Sequence, residues 1–233
     1  MSNCQTEDER LRTAELIRPI LRGRDIKRYG YNWADLWLIA TFPSRHYDIE
    51  DYPAVKNHLL SYGSERLEQT GKKYIINGEE IKARKKTSNK WFETQDSISY
   101  WEDFFKPKIV WKRVGSILRF CYNNNGALGL DSTCIAIGNN IEFICCVLNS
   151  PMGHYLLKDA PKTGTGDLLI SVQAVEPIRV PIITKEQNLI FKEALEELIH
   201  CKTAEKEKEI SHKVFDLYNL SHDEQKYIEN NFT

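Results

Sequence analysis

The sequence predicts a mixed α/β (α+β) fold with a protruding basic hairpin and helices at its C-terminal end. Three observations carry this. Short apolar runs of strand length recur between residues 108 and 137, the first with period-2 alternation. Asn77-Gly78 joins two strand-like runs, a strong short-range hairpin signal. From Lys185 the apolar period becomes helical.

In chain order, residues 7–17 form a short helix. Thr6 and Glu9 have capping-box spacing, and Leu11, Ala14 and Ile17 share one face. A tight basic turn follows from Arg18 to Trp33. Arg22, Arg24, Lys27 and Arg28 stand among the apolar anchors Ile20, Leu21 and Ile26 and the aromatics Tyr29, Tyr31 and Trp33. Gly23 permits a left-handed turn or close backbone approach. Closely spaced Arg and Lys on a turn suit phosphate oxygens, but this stretch alone favours a structural turn with solvated cations and Asp25 paired to a neighbour. Leu36–Phe42 has strand length. Pro53 opens a helix with Val55, Leu59 and Tyr62 as its stripe, running to about Thr70 with Gly63 as a weak point. The hairpin at 72–86 carries Lys72, Lys73, Lys82, Arg84, Lys85 and Lys86, with Lys90 just beyond.

Lys108–Val114 is a strand with Lys108, Val110 and Lys112 on one face and Ile109, Trp111 and Arg113 on the other. Two long cations on one face suggest an open, wet surface. Residues 118–122 and 132–137 are further strands. Asn140 caps a core helix, 141–157, kinked at Asn149-Ser150-Pro151. Residues 160–167 form a loop with Thr163 and Thr165, and 168–183 return to strand. Phe191, Ala194, Leu195 and Leu198 then form one helical stripe, and Ile210, Val214 and Leu217 another. Asn219 is a left-handed stop, and Ser221–Glu224 a capping box. Residues 1–184 are expected as one domain and 185–233 as a helical segment for docking or closure. Trp33, Trp91 and Trp111 are expected in the core.

Hydrophobic content of 41% and 28% charged residues describe an ordinary globular chain with net charge -1. No global field favours nucleic acid, but the charge is uneven. Residues 185–233 hold 7 Lys and Arg against 11 Asp and Glu, and the other 184 residues 25 against 22. The six cysteines form no C-x-x-C pair, and reduced thiols suit a cytoplasmic protein. No apolar run approaches the ~18 residues needed to span a membrane.

The chain lacks a G-x-S-x-G elbow, a Walker loop and metal-ligand spacing among its six histidines. Thr163-Gly-Thr-Gly166 lacks the following Lys-Ser/Thr of a phosphate loop. Glu80-Ile-Lys82 matches the E-x-K of a nuclease core, with Asp48 or Asp51 as the upstream carboxylate. Neither an Asn-Pro-Pro-Tyr/Phe tetrapeptide nor a glycine-rich S-adenosylmethionine loop occurs. The residues alone therefore predict no catalytic and no metal site.

An ordered set of landmarks carries a resemblance. It runs Arg18-Pro-Ile-Leu-Arg-Gly-Arg-Asp-Ile-Lys-Arg-Tyr-Gly30, Trp37-Leu-Ile39, Tyr52-Pro-Ala-Val-Lys-Asn-His-Leu59 and Trp91-Phe-Glu93. Then come Lys106-Pro-Lys-Ile-Val-Trp111, Arg119-Phe120, Leu148-Asn-Ser150, Arg179-Val-Pro-Ile182 and the ending Val214–Glu224. This resembles the TaqI-like C-terminal specificity domain of type II restriction-modification enzymes, over about residues 18–183. The resemblance implies a target recognition domain with twisted sheets that reads double-stranded DNA. It also implies a separate adenine methyltransferase domain or subunit, on which S-adenosylmethionine would bind. The hairpin at 72–86 stands outside the family pattern. No catalytic residue carries over. The expected DNA contacts are Arg22, Arg24, Lys27 and Arg28, then Arg84, Lys85, Lys86 and Lys90, then Lys112 and Arg113, then Thr163 and Thr165. Two alternatives stand beside this: a metal-dependent nuclease using Glu80 and Lys82, and a module docking a methyltransferase subunit through helices 186–218.

Overall fold

The structure is a computed structural model and describes residues 1–232. The chain forms two compact units, Met1–Pro19 with Trp37–Trp101, and Ile20–Leu36 with Glu102–Thr233. The C-terminal helices help build the core of the second unit.

In the first unit, α1 (Glu7–Leu16) starts at Thr6, whose hydroxyl accepts from Glu9 N at 3.1 Å. The Glu9 carboxylate accepts from Gln5 N and from Ala54 N, each at 2.8 Å. Those two amides hold it below the usual carboxylate range. This bond turns Glu9, Thr13 and Leu16 inward, so the face expected from Leu11, Ala14 and Ile17 is not the buried one. Leu11 is 60% exposed. The first three residues of β1 (Ile17–Leu21) pair antiparallel with β2 (Trp37–Ile39). The strand expected to reach Phe42 stops early, and Thr41 Oγ1 donates to Phe92 O at 2.6 Å. Pro53 sits in the first turn of α2 (Pro53–Leu60). Gly63, with φ of +91°, separates it from α3 (Ser64–Leu67), so the single long helix is two pieces. Strands β3 (Lys73–Ile76) and β4 (Glu79–Lys82) form the expected hairpin. Asn77 and Gly78 both have positive φ, as a type I′ turn requires. Ile75 on it is 82% exposed. Leu16, Ile49, Tyr52, Val55 and Phe92 form this unit's core.

In the second unit, β5 (Lys108–Lys112) is followed by β6 (Val114–Gly115), β7 (Phe120–Asn123), β8 (Leu128–Gly129) and β9 (Thr133–Ile137). Strand β5 lies between β7 and β9, antiparallel to both. Ile20 and Leu21 pair parallel with β8. One face of β5 carries Ile109 and Trp111 into the main core. The other was expected to be open; it stays open at Lys112 but is covered at Val110, which packs with Leu21, Ile26, Cys121 and Ala127. Lys108 on that face is fully buried. Its Nζ donates to Phe104 O at 2.6 Å and Asn123 Oδ1 at 2.7 Å, which makes the burial tolerable.

The expected kinked helix is a full break between α4 (Ile141–Asn149) and α5 (Pro151–Leu156). Ser150 is extended there and accepts from Gly153 N at 3.3 Å. Asn140 occupies the cap position of α4 without a side-chain bond. After β10 (Leu168–Leu169), paired with β6, the expected strand gives way to α6 (Val172–Val175). Ala174 N and Val175 N both donate to Ser171 O, which winds the turn before Pro177 ends it. Helices α7 (Lys185–His200), α8 (Ala204–Leu217) and α9 (His222–Asn231) follow. Phe191, Leu195, Leu198, Ile210 and Val214 are buried as their stripes predict. Asn219 is left-handed and Ser221–Glu224 is a capping box.

Burial pushes the Lys108 ammonium down to about 8, whereas an unfolded lysine titrates near ~10.4. Between those values the unfolded chain binds more protons, so this contribution to stability rises with pH. Cys121, pushed up to about 12 by burial, acts in the opposite direction, so a variant is needed to isolate the lysine. Urea unfolding at pH 7.5 and 10 should show wild type gaining about 2 kcal/mol relative to Lys108→Met. An unchanged difference would mean that the ammonium is hydrated.

Candidate nucleic-acid interface

The turn after β1 is built from its own charges. Asp25 is buried, and its carboxylate accepts from Arg22 N at 2.9 Å, Nε at 3.0 Å and Nη2 at 2.8 Å. The arginine's hydrogen bonds hold Asp25 below the usual carboxylate range. Residues Gly23–Asp25 wind as one 3-10 turn. Gly23 meets the need for close approach: a Cβ there would lie 2.8 Å from Lys112 Cγ. Beyond it, Lys27 N donates to Gly30 O at 2.8 Å and Asn32 N to Asp25 O at 2.8 Å.

The tip of this turn points inward. Tyr29, with φ of +67°, donates its N–H to Phe120 O at 2.9 Å and accepts from Tyr122 N at 3.1 Å. Its ring is 1% exposed, and its hydroxyl has no hydrogen-bond partner among the described residues. Arg28 Nη2 donates to Asn149 O at 2.8 Å and lies 3.0 Å from Glu207 Oε2. Of the four turn cations, Arg22 and Arg28 are thus engaged within the fold. Arg24 is exposed and Lys27 half-buried. Trp33, expected in the core, is 37% exposed, its Nε1 donating to Leu36 O.

The second unit joins the turn to other expected contacts. The Lys112 stem lies against Gly23 and reaches Gly115, where a Cβ would stand 3.8 Å from its Nζ. Gly115 pairs with Leu168, and Leu168 bridges to Lys162. That bridge closes the loop of Thr163 and Thr165, whose hydroxyls lie 2.8 Å apart. Arg24, Lys112 and the 162–168 loop are therefore linked through adjacent elements. Arg113 is exposed beside them, and its backbone carbonyl accepts from Ile170 N. A cleft of about 820 Å³ is lined by Lys27, Arg28, Tyr31, Trp33 and Lys202, among others. The sequence singled out neither Lys162 nor Lys202. Lys162 could have been found as the cation preceding the Thr-Gly-Thr-Gly loop. Lys202 meets the turn only through the fold.

The first unit holds the remaining expected contacts. Lys85, Lys86 and Lys90 are exposed. Arg84 is committed inside the unit: it donates to Leu67 O, Glu93 O and Trp91 O. Burial lowers its pKa. Glu80 Oε1 lies 2.8 Å from Lys73 Nζ on the exposed hairpin. Among the described residues, no group of three or more His, Cys, Asp and Glu is placed to hold a metal ion. No helix among them is long and apolar enough to cross a membrane.

Residues 18–176 match the family model of the TaqI-like C-terminal specificity domain. No curated protein matches the chain. Among solved structures, the chain is similar to the Type IIL restriction-modification enzyme MmeI in complex with DNA, at 12% identity and a TM-score of 0.52. That match covers 97% of this chain and 33% of the other, so the chain spans about one third of that protein's length. At this identity the likeness is one of fold.

The Arg22–Asp25 pair can be tested as the rigid base of the turn. Asp25→Asn should lower the unfolding free energy by about 1–3 kcal/mol at pH 7, since it leaves Arg22 half-buried with a weaker acceptor. Because the folded carboxyl is depressed, its contribution is full above the unfolded value and is lost as pH falls through the folded one. Denaturant titrations should therefore show the gap closing in acid. Equal stability at pH 7 would remove the pair from this role.

Proposed function

Because this chain belongs to the TaqI-like C-terminal specificity domain family, we propose that it reads a short double-stranded DNA sequence for a type II restriction-modification enzyme. On this reading it supplies specificity, while catalysis lies on an adenine methyltransferase domain or subunit. S-adenosylmethionine would bind that other part, and the assembly would be cytoplasmic. The observation that carries the reading is the family match over the basic turn, together with the placement of Arg24 and Lys112. Both are exposed: Arg24 sits in the turn closed by the Arg22–Asp25 pair, and Lys112 ends β5, paired there with Thr133, with its stem against Gly23.

The reading divides the contacts into two modes. A fixed arginine such as Arg24 can pair bidentately with a guanine edge in the major groove. Exposed cations on the arm, Lys85 and Lys86, suit phosphates, which carry no sequence information. The nuclease reading has less support, because Glu80 is exposed and paired with Lys73. A docking role for helices 186–218 would have to use other residues, since Phe191, Leu195, Leu198, Ile210 and Val214 are buried in the unit's own core.

The chain should bind duplex DNA without transferring methyl groups from S-adenosylmethionine to it. If about five phosphates are neutralised, log affinity should fall against log salt with a slope of about -4 to -5. A flat salt response, or no binding at ~50 mM salt, would oppose the proposal.

The two modes separate by mutation. Lys85→Ala with Lys86→Ala should weaken binding to all sequences alike and lower the salt slope by about 2. Arg24→Ala should narrow the gap between the cognate site, found by methylome sequencing or selection, and random DNA, by about 1–3 kcal/mol. Equal loss on both DNAs for Arg24→Ala, with relaxed specificity in the arm variant, would reverse the assignment.

A further inference from the structure

The basic turn is gripped by a residue that lies outside the family-matched segment. Glu207 is in the first turns of α8, beyond residue 176. Its carboxylate divides between two cations: Oε2 lies 3.0 Å from Arg28 Nη2, and Oε1 lies 3.0 Å from Lys202 Nζ. Lys202 Nζ also donates to the Arg28 carbonyl at 3.3 Å. The two cations stand over the Tyr29 ring, 5.8 and 5.9 Å from its centroid. Only 18% of the Glu207 side chain is exposed, so solvent screens this pairing less than it screens surface pairs. The neighbouring His154 is pushed down to about 4, by burial and then by the Arg28 charge. It stays neutral near pH 7 and does not compete for the carboxylate.

This geometry bears on what the turn can present. Arg28 and Tyr29 are successive residues, and both are held: Arg28 by Glu207 and Asn149, Tyr29 by the β7 backbone. Fixing them fixes Lys27, the adjoining residue, and the cleft wall that Lys27, Arg28 and Lys202 share. Without Glu207, the half-buried Arg28 and the exposed Lys202 would be left facing this cleft with no carboxylate between them.

We propose that Glu207 is a positioning residue for recognition: it locks the tip of the basic turn and restrains Arg28 and Lys202 from acting as indiscriminate phosphate contacts. The inference rests on the DNA-reading role proposed above. It assigns to the acidic C-terminal helices a part in specificity that does not involve touching DNA.

The test uses the full chain with Glu207→Gln and Glu207→Asp, each first shown to be folded by its unfolding transition. Glu207→Gln removes the negative charge that both cations share. It should raise affinity for random DNA, steepen the salt slope by about 1–2, and lower the cognate-to-random ratio about fivefold or more. Glu207→Asp keeps the charge but is too short to span both partners. It should lower the ratio while leaving the slope near that of wild type. Amide hydrogen exchange supplies a readout independent of DNA: the Lys27 and Tyr29 amides should exchange faster in both variants, and those of β5 should not. If wild type binds no DNA while exchange behaves as stated, the DNA-reading role fails and the lock stands. If the variants lose only thermal stability, with slope, ratio and turn exchange unchanged, Glu207 is merely structural and the proposal is wrong.

Discussion

The Phe120 carbonyl is the point on which the second unit turns. It accepts the Tyr29 N–H at 2.9 Å and the Asn149 side-chain amide at 2.7 Å. Asn149 completes the grip by accepting from Phe120 N at 3.1 Å. One buried amide thus pairs with both polar groups of a strand residue from the end of a helix. A buried backbone group without such a partner would cost about 1–3 kcal/mol. The same carbonyl seats the turn whose cations define the proposed interface. Helix, strand and turn are therefore positioned by one shared acceptor, and Leu148-Asn-Ser150 has a structural meaning. Asn149 ties α4 to β7, and Ser150 ends one helix and caps the next.

Much of the fold was legible because local chemistry and final structure agree. The hairpin at Asn77-Gly78, the left-handed Asn219 and the Ser221 cap each follow from a preference set within a few residues. What was hidden depended on distant partners. Lys108 looked like a surface cation on an alternating strand, yet the basic turn covers that face and Asn123 and Phe104 satisfy the ammonium. The buried face of α1 departs from its apolar periodicity for a similar reason. Glu9 is drawn inward by the amide of Ala54, 45 residues later. A hydrophobic periodicity cannot register a carboxylate buried by its hydrogen bonds.

The candidate site shows the same division. The sequence marks where cations cluster, but not which of them remain available. Arg22, Arg28 and Arg84 have the look of phosphate ligands, and the fold gives each a carboxylate or a set of carbonyls. Arginine suits such internal duty because its rigid fork of donors satisfies several acceptors at once. Of the expected DNA contacts, the exposed cations are Arg24, Lys85, Lys86, Lys90, Lys112 and Arg113. On a chain of net charge -1, that selection bears on where a polyanion could approach.

Arg84 carries a consequence for how this domain can be altered. Its backbone N–H donates to Glu68 O at 3.0 Å and its carbonyl accepts from Gly71 N at 2.8 Å. Its side chain ties the same place to Leu67, Trp91 and Glu93. The two ends of the hairpin are therefore already joined at its root, on the body's side of residues 73–82. Loop-closure cost changes slowly with length once the ends are held together. The hairpin is thus an interchangeable cassette with a built-in socket. Arms of other lengths and sequences could be exchanged between Lys72 and Ala83, and the first unit's core at Leu16, Ile49, Tyr52, Val55 and Phe92 would not have to be redesigned.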